Sequence, residues 1–301
     1  MQTFYTAPDL VGVENNSVIG AENLTMDDSE IVFAGVNNIL LIEDKAVLRH
    51  SRICFKGNNS IVYLSSSGRR YYHIDVELHQ SCAFFCGKNN FFNGALKVRL
   101  SEHKHMLIGS GCLFSMGIWV RTADPHLVYS AASRQRVNPS KSVYIGDHVW
   151  IGQEVMLLKG SQIFSGSIIG ARAVVAGKRI PSNTSFAGNP AKKIGDGVFW
   201  DEPCVHNWSE KQTAASQHYT GKESFVYQYT EGESIPFDSL EQRLCDAVTA
   251  EDKRDILQAV AQNSNKNRFA SCPPKPAMPA KKSLRQRLRL RLKAILLRIM
   301  K

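Results

Sequence analysis

A mainly β chain wound into a parallel β-helix with triangular coils is the fold this sequence predicts, and three observations predict it. From Ile145, in "IGDHVWIGQEVMLLKGSQIFSGSIIGARAVVAG", an aliphatic residue returns at every sixth position, as Ile145, Ile151, Leu157, Ile163, Ile169 and Val175. Gly146, Gly152 and Gly170 follow the aliphatic directly, while Val149, Val155 and Ala173 fill the fifth position. Upstream, "IVFAGVNNILLIEDKAVLRHSRICFKGNNSIVYL" alternates short apolar runs with Asn-Asn and Gly-Asn-Asn turns. A period of six is neither the 3.6 of a helix nor the simple alternation of one strand. Being a multiple of two, it lets every marked residue point to one face of an extended chain. Short strands separated by regular turns then close one coil per three sixes, with identical positions stacked coil upon coil.

The glycines fall where a flat wall and a tight corner favour a residue without a Cβ. Asn and Gly in the upstream turns tolerate the left-handed backbone of tight corners, and "FFCGKNNFFNGALKVRL" repeats that device. Ile108, Phe114 and Val120 restore the six-residue period. Between Val120 and Ile145 the pattern breaks, so "RTADPHLVYSAASRQRVNPSKSVY" leaves the wall as a loop, bounded at 121–144. The coil is expected to end at "GKRIPSNTSFAGNPAKKI", where the prolines oppose another regular strand. This gives a β-helix domain over 1–197 and a mixed, helical extension over 198–270.

Residues 198–236 show no assignable pattern. A helical segment is expected from about Ser239 to Gln262, opened by the capping-box-like pair Asp238 and Glu241 and carrying Leu240, Leu244, Ala247 and Val248. Thr249 and Asp252 could restart it as a second helix with Ile256, Leu257 and Val260. "CPPKPAMPAKK" lies in a Pro-rich linker, 271–282, expected to be extended. Beyond it, over 283–301, Leu284, Leu288, Leu292, Ile295 and Ile299 recur at helical spacing among Arg285, Arg287, Arg289, Arg291 and Lys293. A basic amphipathic helix of this kind suits adsorption to an anionic membrane surface. A solvated or partner-binding helix is the other reading.

The net charge of +10 is concentrated in that tail. Its segment "KKSLRQRLRLRLKAILLRIMK" holds nine Lys and Arg and no acid, leaving 28 basic and 27 acidic side chains in residues 1–280. A nearly neutral body without a zinc-finger or aromatic RNA-binding motif argues against nucleic acid as partner. Seven cysteines, at 54, 82, 86, 112, 204, 245 and 272, lack metal-ligand spacing and read as buried, reduced thiols of a cytoplasmic protein. "MQTFYTAPDL" has no basic region followed by an apolar run, and no stretch reaches transmembrane length. His103 and His105 form an H-x-H, but no third suitably spaced ligand accompanies them, so no metal is expected. His148, in a repeat turn, is expected to be solvated.

"IGDHVWIG" followed by "IIGARAVVAGKRIPSNTSFAGNPAKKI" resembles the hexapeptide-repeat acyltransferases. More narrowly, "FSMGIWVRTADPHLVY…RVNPSKSVYIGDHVWIG" resembles the O-acetyltransferases of capsule and lipopolysaccharide biosynthesis, over roughly residues 105–200. The resemblance implies a left-handed parallel β-helix, a homotrimer with sites between subunits, and acetyl-coenzyme A as co-substrate. It implies that His126, in "TADPH", is the catalytic base. An imidazole titrating near 6.5 can remove the proton of a sugar hydroxyl during direct attack on a thioester. Trp150, outward-pointing beside the inward Ile151, matches a Trp bordering the transfer site. Trimer packing and participation in catalysis are both open to it.

Gly152, Gln153, Gly170, Ala171 and Ala176 match positions lining the pantetheine arm, and Lys178 and Lys192 would face the coenzyme's phosphates. Asp124 and Asn138 are open to two roles, orienting His126 or the acceptor, or holding the loop. The implied reaction is O-acetylation of a capsular or other cell-surface polysaccharide, or of its precursor. N-acetylation of an amino-sugar nucleotide is an alternative, and a non-catalytic trimeric scaffold at the membrane is another. The expected location is cytoplasmic, peripheral on the inner face of the membrane if the tail adsorbs there.

Overall fold

The computed structural model describes residues 1–272. The basic segment 283–301 and most of the Pro-rich linker lie outside the described residues. Two eight-stranded sheets and one six-stranded sheet form the long walls of a triangular solenoid, with a further two-stranded sheet in the early coils. The first wall contains Leu96–Leu100, Trp119–Arg121, Met156–Leu158 and Val174–Ala176. The second contains His105–Ile108, Val143–Ile145, Gln162–Ile163 and Arg179–Ile180. The third contains Leu113–Phe114, Trp150–Ile151 and Ile168–Ile169. Neighbouring strands within these stretches pair in parallel, so each coil visits the walls in the same order.

The register explains where the period of six holds. Ile145 pairs with Ile163 and Ile151 with Ile169, an 18-residue coil of three sixes. Upstream, Ile39 pairs with Ile61 and Ile61 with Ala83, a 22-residue coil whose longer turns dilute the pattern. All six marked aliphatics are fully buried inside the prism, with Val149, Val155 and Ala173 beside them. Stacking continues among interior aromatics, with Phe33 on Phe55 at 4.7 Å and Phe92 on Phe114 at 5.1 Å. At one corner Asn38 donates to Asn16 Oδ1, and its own Oδ1 accepts from the Ser60 amide, joining three coils.

One boundary differs from expectation. The coil does not end at the prolines, because Arg179–Ile180 and Thr184–Ala187 both pair in parallel with the preceding coil. Pro181 falls between those strands, and Pro190 falls in the turn before Lys192–Asp196, so neither has to donate within a ladder. Lys192–Asp196 returns antiparallel on Thr184–Ala187 and finishes the third wall.

The second wall is buried on both faces, which is why its strands read as the unbroken apolar runs "ILLI", "IVYL" and "AFFC". Its outer side chains, among them Tyr63, Phe85, Leu107 and Phe164, pack under Phe237, Leu240, Leu257 and Phe269. Phe237 and Leu240 come from α2, Phe237–Asp246, Leu257 from α3, Ala250–Gln262, and Phe269 from the segment after α3; a short α1 at Glu210–Ala215 precedes them. The break between α2 and α3 leaves Val248 76% exposed, not in the apolar stripe. Thr249 and Asp252 do form the capping box of α3. Asp238 and Glu241 do not cap α2: Pro236 stands at its N-cap, Asp238 accepts from Arg179, and Glu241 accepts from Tyr144 Oη at 2.7 Å and Lys104 Nζ at 3.0 Å.

Two buried cations tie this clasp to the coils. Arg268 grips Asp147 through Nε at 2.9 Å and Nη2 at 2.7 Å, with both side chains buried. Lys253, 1% exposed, donates to Ser81 Oγ at 2.9 Å and to the carbonyls of Ala247 and Thr249, and burial pushes its ammonium pKa down. Four cysteines are buried as expected, but Cys204, Cys245 and Cys272 are exposed. No helix among the described residues is long and apolar enough to cross a membrane.

The corner glycines set the spacing of the coils. A Cβ on Gly146 would lie 2.6 Å from the Ser165 amide nitrogen, whereas one on Gly12 would meet nothing within 4 Å. Gly146→Ala is therefore expected to cost about 1–3 kcal/mol, the range for overpacking a tight interior. Gly12→Ala should leave the urea midpoint unchanged, and equal midpoints for the two variants would refute the packing argument.

Candidate active site

The loop leaves the first wall after Arg121 and re-enters the second at Val143. Its tip folds back at an antiparallel bridge between Tyr129 and Arg136. Buried Asn138 organises the base of the loop. Its amide nitrogen donates to Asp124 Oδ2 at 3.1 Å and to the His126 carbonyl at 2.8 Å, and its oxygen accepts from the Val128 amide at 2.9 Å. Asp124 also accepts from Lys159 Nζ at 2.5 Å. The hydrogen bonds from Lys159 and Asn138 hold its carboxyl below the usual aspartate range. Asn138 and Asp124 thus hold the backbone that carries His126. The imidazole itself is exposed and has no hydrogen-bond partner among the described residues.

The rest of the predicted set lies elsewhere on the prism. Trp150, 39% exposed, stands on the third wall between Leu113 and Ile168. Gly152 and Gln153 form the corner between the third and first walls, with Gly170 and Ala171 one coil further on. A Cβ on Gly152 would lie 2.7 Å from the Ala171 amide nitrogen, so side chains cannot crowd this corner. Ala176 and Lys178 occupy the other edge of the first wall, where the loop also emerges. Lys192 lies on the last strand of the third wall. Neither Lys178 nor Lys192 has an acidic partner among the described residues.

Asp124, His126 and Asn138 are therefore together, while Trp150 and the glycine corner stand across the first wall. At this level the wall is the strand Met156–Leu158, with the glycine corner at one end and Lys159, in contact with the loop, at the other.

His148 is not solvated. It lies flat between Trp200, at 4.2 Å, and Phe225, at 4.0 Å, and Trp200 Nε1 donates to its carbonyl at 2.9 Å. Burial lowers its pKa. The unassigned segment after residue 198 thus closes over the third wall beside Trp150, whose ring centroid is 6.2 Å from that of Trp200. No local sequence signal foretold the contact, which joins residues 52 apart. His103 sits exposed in a left-handed turn, while His105 is buried under the clasp with neither ring nitrogen hydrogen-bonded. Burial pushes the His105 pKa down to about 3. Among the described residues no cluster of three His, Cys, Asp or Glu could hold a metal.

No family model matches the chain. It is 27% identical over 209 residues to the polysialic acid O-acetyltransferase of Neisseria meningitidis, covering 69% of this chain and 95% of that protein. A polysialic acid O-acetyltransferase of Escherichia coli O1:K1 is 28% identical over 126 residues, 42% of this chain and 40% of that protein. The crystal structure of the polySia-specific acetyltransferase NeuO superimposes with a TM-score of 0.55 at 25% identity, covering 67% of this chain and 90% of that one. Fold and similarity together point to one class: the chain is a parallel β-helix, and the proteins it resembles in sequence and fold are O-acetyltransferases. The polysialic acid O-acetyltransferases are among the proteins it is similar to.

The loop is tethered at a second point. Arg136 pairs with Glu102 through two hydrogen bonds, at 2.9 and 2.8 Å, and the Ser140 hydroxyl donates to the same carboxylate. Arg136 and then Ser140 lower the Glu102 pKa to about 2. A depressed carboxyl contributes fully above its ordinary pKa of about 4.3 and loses that contribution as pH falls through the lowered value. The tether should therefore hold at neutral pH and fail as pH drops toward about 2. Glu102→Gln is expected to raise amide exchange across 127–137 at pH 7, and unchanged exchange would mean that the tether does not order the loop.

Proposed function

We propose that the chain is an acetyl-coenzyme A-dependent O-acetyltransferase whose acceptor is a hydroxyl of a capsular or related cell-surface polysaccharide. The observation that carries this reading is an exposed His126, with no partner for its ring among the described residues, on a loop whose backbone is fixed by Asn138. Such a ring is free to meet an incoming hydroxyl. Acetyl-coenzyme A supplies the acyl group as a thioester. His126 takes the hydroxyl proton as the oxygen bonds to the acetyl carbon, then returns it to the departing sulfur. Gly170, Ala171 and Ala176 offer small residues at the surface for the pantetheine arm, with Gln153 exposed beside buried Gly152 at the corner, and Lys178 and Lys192 offer charge for its phosphates.

One protomer separates the loop from Trp150 and the glycine corner by the width of a wall. A site containing both is completed when a second copy sets its loop against the far corner of the first. Leu127, Val128, Tyr129 and Val137 are each about half exposed on the loop, an apolar surface suited to that contact. We infer a homotrimer, in which threefold repetition of one such heterologous contact closes a ring.

His126→Ala is expected to lower transfer by roughly 10²–10⁴, the contribution of a general base, with unfolding and assembly unchanged. Wild-type turnover by the folded variant would remove His126 from the mechanism. Trp150→Ala should also lose activity, and sedimentation beside kinetics separates a role in transfer from one in assembly. Alkali-labile acetyl on the product distinguishes O- from N-acetylation.

The charge pattern of residues 283–301 supports adsorption to anionic membrane. Deleting residues 273–301 should leave transfer to a soluble acceptor intact and abolish binding to anionic vesicles, which in the full chain should weaken with salt. Retained vesicle binding would refute the membrane role.

A further inference from the structure

The outer face of the first wall carries charge that the fold does not neutralise. Side chains alternate along a strand, so Lys97 and Arg99 on one strand and Trp119 and Arg121 on the next point outward. Lys97 stands directly beside Trp119, and Arg99 directly beside Arg121. Lys97 Nζ lies 5.1 Å from the centre of the Trp119 ring and Arg121 Cζ lies 5.2 Å from it. Arg121 also lines a cleft of about 350 Å³ with Ala123, Asp124 and Pro125 of the loop.

The acids around that cleft are all committed. Asp75 binds Arg99 through two hydrogen bonds, Glu77 pairs with Lys56 at 3.0 Å and His79 at 3.2 Å, Glu102 holds Arg136, and Asp124 holds Lys159. Among the described residues, Arg121 and Lys97 have no acidic partner. Like charges directly opposite one another destabilise a strand pair, and while Asp75 neutralises Arg99, Arg121 has only the face of Trp119 beside it and no carboxylate. Such violations are expected where function requires them. The same place is the root of the loop that carries His126.

We propose that this face is an acceptor subsite that reads the carboxylate of an acidic sugar unit, with Arg121 as the principal partner, Lys97 as the second, and the Trp119 ring as the apolar floor. This rests on the O-acetyltransferase reading above and adds to it both the charge of the acceptor and the residues that select it. A guanidinium matches a carboxylate with two parallel hydrogen bonds, and a half-buried indole offers a flat apolar face to a sugar ring. Phosphate of the coenzyme is the other source of anionic charge. The lysines suited to that role, Lys178 and Lys192, lie further along the solenoid, with Lys178 following a strand two coils beyond Trp119, roughly 10 Å away at the usual strand spacing.

The test uses the full chain with sialic acid oligomers and the same oligomers after reduction of their carboxyls to alcohols. Arg121→Gln should raise the KM for the acidic oligomer roughly 10–100-fold, the range for losing one charged hydrogen-bonding partner. The KM for the reduced oligomer and for acetyl-coenzyme A should not change, and Arg121→Lys should recover part of the loss. An Arg121→Gln enzyme that matches wild type, or loses both oligomers alike, or instead shows a raised KM for acetyl-coenzyme A, overturns the proposal. If wild type acetylates neither oligomer, sialic acid is not its acceptor, and binding of the acidic oligomer followed by NMR titration decides the subsite separately. Binding by wild type that is lost in Arg121→Gln supports it, and equal or absent binding by both overturns it.

Discussion

Everything in this molecule depends on the close stacking of one coil on the next at the corners of the prism. Where Gly146 passes Ser165, or Gly152 passes Ala171, there is no room for a single additional carbon. That approach keeps neighbouring strands within hydrogen-bonding reach for the length of the solenoid, so register cannot slip. A slip by one residue would turn every inward aliphatic outward. Fixed register also fixes the direction of every side chain, which is how a repeat with no chemistry of its own becomes a frame for chemistry.

The three walls have different fates. The second is sealed by α2 and α3, anchored through the buried Arg268–Asp147 pair. Burying such a pair is not in itself strongly stabilising, but removing one partner strands the other charge away from water. The pair therefore acts as a position lock for the clasp, with Arg268 also donating to the carbonyls of Val260 and Asn263 at the end of α3. The third wall is partly covered by the segment holding Trp200 and Phe225. The first wall keeps an outward row of polar and aromatic side chains, with the loop rising from one of its edges.

Much of this was legible in the chain, for reasons that differ by region. The period of six shows itself only where a coil is 18 residues long; with 22-residue coils the additional turn residues break the count, although the Asn-rich turns still mark the corners. The Thr249–Asp252 box was readable because capping is local. The start of α2 was not, because Glu241 answers to Tyr144 and Lys104, far away in sequence. The same holds for His148 under Trp200 and for Arg268 on Asp147: contacts 52 and 121 residues apart leave no local trace. His126, Asp124 and Asn138 were singled out in the sequence with two roles open to the latter pair, and the hydrogen bonds by which Asn138 holds the loop became visible only with the loop folded.

The loop shows why sequence spacing and spatial spacing part company here. Asp124 and Lys159 are 35 residues apart and in contact, because an insertion rises from one corner and the next coil passes beneath it. Gln153 and Lys159 are only six apart yet stand on different edges, because a wall is straight. An insertion at a corner therefore reaches residues of the following coil at that corner, and none across the wall. A second copy bringing its loop to the far corner, as proposed above, would join the two edges, and the apolar side chains left exposed on the loop lie on the element that would make that crossing.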